Sequence, residues 1–164
     1  MYSADEVAKY VINYSIESNT KVSNLKLQKL LYYIQAAFLV EKHQKCFNEP
    51  IVAWEFGPVV EDIYREYKIW GRRPIDKKQD LTSVLFLDRN TLKIKSKKLD
   101  LIDVHDQCII KAVIDAYADV ENPFVLVKKT HNERPWRSTQ INSEIKCDVI
   151  RDYYSKNKNK IYNR

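Results

Sequence analysis

The stretch LKLQKLLYYIQAA, Leu25 to Ala37, constrains this chain more than any other segment. At about 100° per residue, Leu27, Leu30, Leu31, Ile34 and Phe38 fall on one side of a helix, and Leu25, Tyr32, Ala36 and Leu39 on the other. A helix apolar on both flanks needs neighbours on both, so it is expected at the centre of the core. Lys26, Lys29, Tyr33 and Val40 occupy the remaining strip, the expected point of contact with solvent. Gln28 and Gln35 lie inside the apolar arc, one heptad apart. A buried amide without partners is destabilising by about 1 to 3 kcal/mol. Both are therefore expected to fasten the backbone of a loop, near Gly57-Pro58 or near Thr130. Leu27, Gln28, Leu31, Tyr32 and Gln35 form the structural motif of this helix.

With 164 residues and 45% apolar side chains, the chain can fill one core and is short for two. Gly57 and Gly71 are its only glycines, too few for the tight turns of an all-β design. The expected fold is mainly α: a single compact domain of about six helices around the central one, with a small β-hairpin or short strands. That domain covers residues 1–155, and a basic tail covers 156–164. The net charge is +6, but Lys156, Lys158, Lys160 and Arg164 lie at the end without an acid among them. The 28 basic residues less those four leave 24 against 22 acids, a net of +2. Such an end reads as a solvated, frayed tail rather than a phosphate reader.

Cys46, Cys108 and Cys147 are odd in number and far apart, and the beginning MYSADEVAKY is polar and acidic, unlike a secretion signal. Free thiols and a cytoplasmic location are expected. No apolar run approaches the roughly 20 residues of a membrane helix.

Along the chain, Ser3 and Glu6 form a capping box that opens a helix running to about Glu17, with Val7, Tyr10, Val11 and Tyr14 facing inward. Ser23 caps the central helix, which is expected to end near Lys45. Pro50 to Phe56 is extended, and Pro58 is placed to start a third helix with Val60, Ile63, Tyr64, Tyr67 and Trp70 inward, stopped at Gly71. A hairpin is expected between Leu81 and Lys95, turning at Asp88 to Thr91. A helix from about Leu99 uses Ile102, Ile109, Ala112, Val113, Ala116 and Tyr117. Asn122-Pro123 restarts a short helix to about Lys129, and a last one begins near Asn142, with Ile145, Val149, Ile150, Tyr153 and Tyr154 inward.

Two aromatic segments stand out. Trp54, Phe56, Gly57 and Pro58 form a rigid turn, and His131, Pro135 and Trp136 form another. Tryptophans beside prolines can simply seal a core edge. If the two loops converge, they instead supply the anchors of a protein interface. His43, His105 and His131 have no metal-ligand spacing, so no metal or cofactor is expected. His131 lacks a paired acid or nucleophile in the sequence, so no catalytic residue is assigned. Arg89, Lys93, Lys95, Lys97 and Lys98 could make a basic hairpin edge, with Tyr2, Tyr10 and Tyr14 available for stacking.

Three blocks in order, LKLQKLLYY (25–33), WEFGPVVEDIY (54–64) and THNERPW (130–136), make the chain resemble the Panacea domain of SocA-like antitoxins, a family also called phage-associated. Two departures qualify the resemblance. Ala36 stands where the family often has Gly, and the Lys-rich piece from Pro74 to Leu99 does not match the family core. What the resemblance implies is a non-enzymatic antitoxin that neutralises a cognate toxin by direct binding or by delivering it to a protease. The partner-binding residues are then Trp54, Phe56, Gly57, Pro58, His131, Pro135 and Trp136. A DNA-binding regulator of a prophage or mobile-element operon is the alternative.

Overall fold

The computed structural model describes residues 1–81, 83–88, 93–98 and 102–163. Helix α1 (Ala4–Glu17) begins at the expected capping box: Ser3 Oγ accepts from the Glu6 N–H, and Glu6 Oε2 accepts from the Ser3 N–H at 2.6 Å. Its buried face is Ala4, Val7, Ala8, Val11 and Ile12, while Tyr10 and Tyr14 are half-buried. Those two tyrosines lie over the next helix layer rather than in the core. Helix α2 (Asn24–Glu41) is capped by Ser23 and ends four residues earlier than expected, where His43 adopts a positive φ of 54°.

Strands β1 (Val52–Trp54) and β2 (Gly57–Val59) form a tight antiparallel hairpin with Trp54 opposite Gly57. Pro58 therefore sits in a strand and not at a helix start, a position it tolerates at a sheet edge because it has no N–H to leave unpaired. Helix α3 (Glu61–Tyr67) follows, continues as a 3-10 turn over Lys68–Trp70, and stops at Gly71 with φ 56°. Strands β3 (Ser83–Asp88) and β4 (Lys93–Lys98) pair antiparallel as the expected hairpin. Of its expected turn, Asp88 is the last residue of β3 and 89–91 lie outside the described residues, as does the helix start expected at Leu99.

Helix α4 (Val104–Ala116) starts at Asp103, whose carboxylate accepts from the His105 N–H. Ile102, Val113 and Tyr117 of the expected stripe are buried, Ile110 and Ile114 join them, Ile109 and Ala116 are half-buried, and Ala112 is exposed. Helices α5 (Phe124–His131), α6 (Arg134–Arg137), α7 (Cys147–Ser155) and α8 (Lys158–Ile161) complete the order. The THNERPW block is thus not a loop: it ends one helix and begins another, with Pro135 in the first turn of α6, where a missing N–H costs nothing. Helix α7 starts five residues later than expected because 142–145 is used otherwise. Asn142 N–H donates to Ala53 O, Ala53 N–H to Ser143 O, and Ile145 N–H to Ile51 O, so this segment runs beside β1.

Helix α2 is the axis of the molecule. It packs against α1, α3, α4, α5, α7, α8 and β2, and every residue from Lys26 to Leu39 is buried. The expected solvent strip is absent. Lys26 is 1% exposed and Lys29 is 0% exposed, because each aliphatic stem packs along the core while its ammonium finds carbonyls. Lys26 Nζ donates to Val120 O at 2.9 Å and Ala118 O at 3.4 Å, and Lys29 Nζ donates to Pro58 O at 3.1 Å. Tyr33 is buried too, stacked on Tyr117 and donating its hydroxyl to Glu133.

The basic end is folded rather than frayed. Ile161 is fully buried, the Lys160 carbonyl accepts from Tyr117 Oη and Lys129 Nζ, and Lys158 pairs with Glu41. A single apolar anchor and a shared carbonyl outweigh the repulsion that its charge suggested. Tyr2, Tyr10 and Tyr14 are likewise engaged, donating to Asp106, Gln107 and Asp115 of α4.

Candidate functional site

The two glutamines of α2 fix what surrounds them. Gln28 Oε1 accepts from the Val60 N–H at 3.0 Å, just after β2, and its Nε2 donates to Asn24 Oδ1. Gln35 holds a different strap, accepting from Cys46 and Phe47 N–H and donating to Phe47 O. The first amide therefore anchors the hairpin near Gly57-Pro58, as expected. The second departs from the expectation: it anchors the return of the chain after α2 at Cys46 and Phe47, not at Gly57-Pro58 or Thr130.

Lys29 and Thr130 lie directly beneath the hairpin. Gly57 has φ +100°, and a Cβ there would lie 2.8 Å from Thr130 Oγ1 and 2.9 Å from Lys29 Nζ. Thr130 itself is fixed by bonds to Leu126 O and Val127 O of α5. Only a residue without a side chain lets β2 approach α5 this closely. That approach brings the second and third sequence blocks together. The Trp136 indole N–H donates to Trp54 O at 3.0 Å, and the His131 ring stacks on Trp136 with centroids 3.8 Å apart.

The resulting face is aromatic. Trp54 packs edge-on against Tyr64 and donates its indole N–H to Glu61, while Phe56 at the hairpin tip meets Phe124 at the start of α5. Phe56 is 53% exposed and Phe124 47% exposed. Beside them opens a cleft of about 880 Å³ between the hairpin, α3 and the starts of α2 and α5. Of the residues singled out in the sequence, Trp54, Phe56, His131 and Trp136 keep exposed surface, whereas Gly57, Pro58 and Pro135 are buried and position the others. Phe124 and Tyr64 are additions. The sequence places Tyr64 on the inward stripe of the third helix, and Phe124 carries no assignment because only Asn122-Pro123 marks the start of its helix.

Burial sets the local electrostatics. It pushes the Lys29 ammonium down to about 7. It also lowers the His131 pKa, reinforced by the charge of Lys29 and opposed by a bond to the Glu55 backbone. His131 is therefore a neutral, stacked ring at physiological pH, with Nε2 lacking a partner. Glu133, two residues on, is raised by burial and countered by donors from Tyr154 and Tyr33. Among the described residues no group of three His, Cys, Asp or Glu could hold a metal ion. No helix is long and apolar enough to cross a membrane among those residues.

Lys29 carries a pH prediction. An ordinary lysine stays protonated to about pH 10.4, so between pH 7 and that value the unfolded chain binds a proton the folded chain has released. Folding stability contributed by this group therefore rises with pH through that window. Urea unfolding at pH 7 and pH 9 should show wild type gaining stability relative to Lys29→Met, by roughly 1.4 kcal/mol per pH unit at most. Parallel pH dependence in the two proteins would show that Lys29 is not the titrating group.

Fold and site together define a mainly helical domain that presents a preformed aromatic face beside an open cleft. The family described as "Antitoxin SocA-like, Panacea domain" matches residues 27–137, and the chain belongs to that family. It is also similar to the protein named Antitoxin SocA from Caulobacter vibrioides (strain NA1000 / CB15N), 38% identical over 72 residues. That alignment covers 44% of this chain and 38% of the relative's length. No solved structure matches the chain.

Proposed function

We propose that this protein is an antitoxin that neutralises a cognate toxin by binding it through the face where the two aromatic blocks meet. The observation that carries this reading is the Trp136 to Trp54 bond, which holds the half-exposed Phe56 and Phe124 rings beside an open cleft. Rigid aromatic anchors around a pocket are what concentrate binding energy at protein interfaces. Catalysis is not part of the proposal, since His131 is neutral and stacked with no acid or nucleophile bonded to it. Binding to a toxin made in the same cell places the action in the cytoplasm. Delivery of the bound toxin to a protease would use the same face for capture. A DNA-binding regulator is the alternative reading, which the aromatic face does not favour.

The test is co-expression with the gene encoded beside this one. Wild type should relieve the neighbour's toxicity. Trp136→Ala, provided it stays folded, should lose protection because it removes the link between the blocks. Phe56→Ser should weaken binding by about 2 kcal/mol, roughly thirtyfold, with little effect on folding. Val104→Ser, at an exposed position on α4, serves as the control and should protect normally. A neighbour that is harmless alone, or toxicity that persists beside wild type, would refute the antitoxin reading.

A further inference from the structure

The cleft has apolar walls and a cationic end. Trp54, Phe56, Tyr64 and Phe124 supply the walls, and Lys68 and Arg72 stand at the α3 end. Neither cation makes an ion pair with another described residue, and Glu55 is the lone carboxylate on the cleft lining. Polar groups on the floor are already satisfied. Gln28 is bonded at both ends, Asn24 Nδ2 donates to Tyr64 O, and the Trp54 N–H is taken by Glu61. An apolar side chain seated over Gln28, Asn24 and Trp54 would cover no unpaired donor of theirs, so those three groups add no desolvation cost. An anion is favoured only at the Lys68 and Arg72 end.

The volume suits a few side chains, within the usual range of roughly 300 to 1,000 Å³ for ligand clefts. Two other occupants fit less well. A second copy of this chain brings its own net charge of +6 to a cationic rim. A single-stranded nucleic acid needs open ring faces and a row of cations along its backbone. Here the rings meet edge to face, Trp54 on Tyr64 at 72° and Phe56 on Phe124 at 89°, and the two cations sit together at one end.

We propose that the cleft receives a short acidic-aromatic segment of the partner toxin, with an apolar ring between Trp54, Phe56 and Phe124 and adjacent carboxylates on Lys68 and Arg72. This rests on the antitoxin reading and specifies the chemistry of what that face takes. Charge-assisted pairs at the rim set orientation and encounter rate, and the buried ring supplies the affinity.

The experiment uses the full chain, the protein encoded by the neighbouring gene, and peptides of about 15 residues tiled across that protein as probes. Peptides that bind should carry an aromatic or large aliphatic residue beside acidic ones. Their binding should weaken about tenfold or more in the double variant Lys68→Glu/Arg72→Glu, and also on raising salt from about 50 to 500 mM, with thermal melting of the variant unchanged. If no single peptide binds, the whole neighbour protein is titrated against wild type and the double variant, and the same loss is expected. Binding peptides without acids, equal binding by the double variant, or displacement of bound peptide by a single-stranded oligonucleotide of similar length would each overturn the proposal. The two readings separate cleanly. Wild type that neither protects cells nor binds the neighbour sinks the antitoxin reading and the cleft proposal with it. A double variant that protects as well as wild type sinks the cleft proposal alone.

Discussion

Gly57→Ala is expected to lower the melting temperature by roughly 6 to 16 °C and to abolish partner binding together with it. At φ +100° a Cβ is strained whatever the space available, and here it would also press on Thr130 Oγ1 and on the Lys29 ammonium. Relief is blocked on both sides. Thr130 is bonded to two carbonyls of α5, and Lys29 is fully buried with its ammonium on Pro58 O. Strain plus forced separation of β2 from α5 amounts to on the order of 3 to 4 kcal/mol, and each kcal/mol moves the midpoint by about 2 to 4 °C at this size. A pair of measurements checks it: thermal melting and binding to the neighbour protein. Gly57→Ala melting within a degree or so of wild type would mean that the hairpin is not pressed onto α5. The contrasting substitution is Gly71→Ala, where φ is 56° but nothing lies within 4 Å of the added carbon. That variant should lose only the smaller backbone term, about 1 kcal/mol.

The second large effect is expected at Gln35→Leu. Its amide satisfies two backbone N–H groups and one carbonyl at Cys46 and Phe47, both fully buried. Leucine fills similar space and leaves those groups unpaired, at about 1 to 3 kcal/mol each. The damage should spread to the start of α1, since Tyr2 N–H donates to Cys46 O in the same strap. We expect a loss of about 3 to 5 kcal/mol in urea unfolding, with the midpoint falling while the slope stays constant. Gln28→Leu should cost less, because one backbone N–H, that of Val60, depends on it. If Gln35→Leu unfolded at the wild-type urea concentration, the buried amides would not be structural fasteners.

Much of this was legible from residue patterns, and the failures share a cause. Ser3 with Glu6, Ser23 and Gly71 are local signals, and each ended or began a helix where expected. Gln28 and Gln35 were legible because an amide in an apolar arc must find a partner nearby. Lys26 and Lys29 misled because charge reads as exposure, while a lysine stem four carbons long can cross a core and place its ammonium on a carbonyl. Those carbonyls, at Ala118, Val120 and Pro58, are distant in sequence and carry no signal of their availability. Pro58 misled for a related reason, since its φ suits a strand edge as well as a helix start. The late start of α7 was hidden in the pairing of 142–145 with β1, a long-range choice. At the candidate site, the two aromatic blocks were visible as composition. Their meeting depends on Gly57 passing Thr130, and the exposed Phe124 depends on where α5 begins.

The most direct test of the account is hydrogen exchange of the full chain, alone and bound to the protein encoded beside it. Binding is expected to bring new protection at the amides of 54–57, at the start of α5 around Phe124 and over Arg134–Arg137, with little change on α4 and α8. Protection confined to α4 or α8, with the hairpin tip exchanging as in the unbound chain, would contradict it.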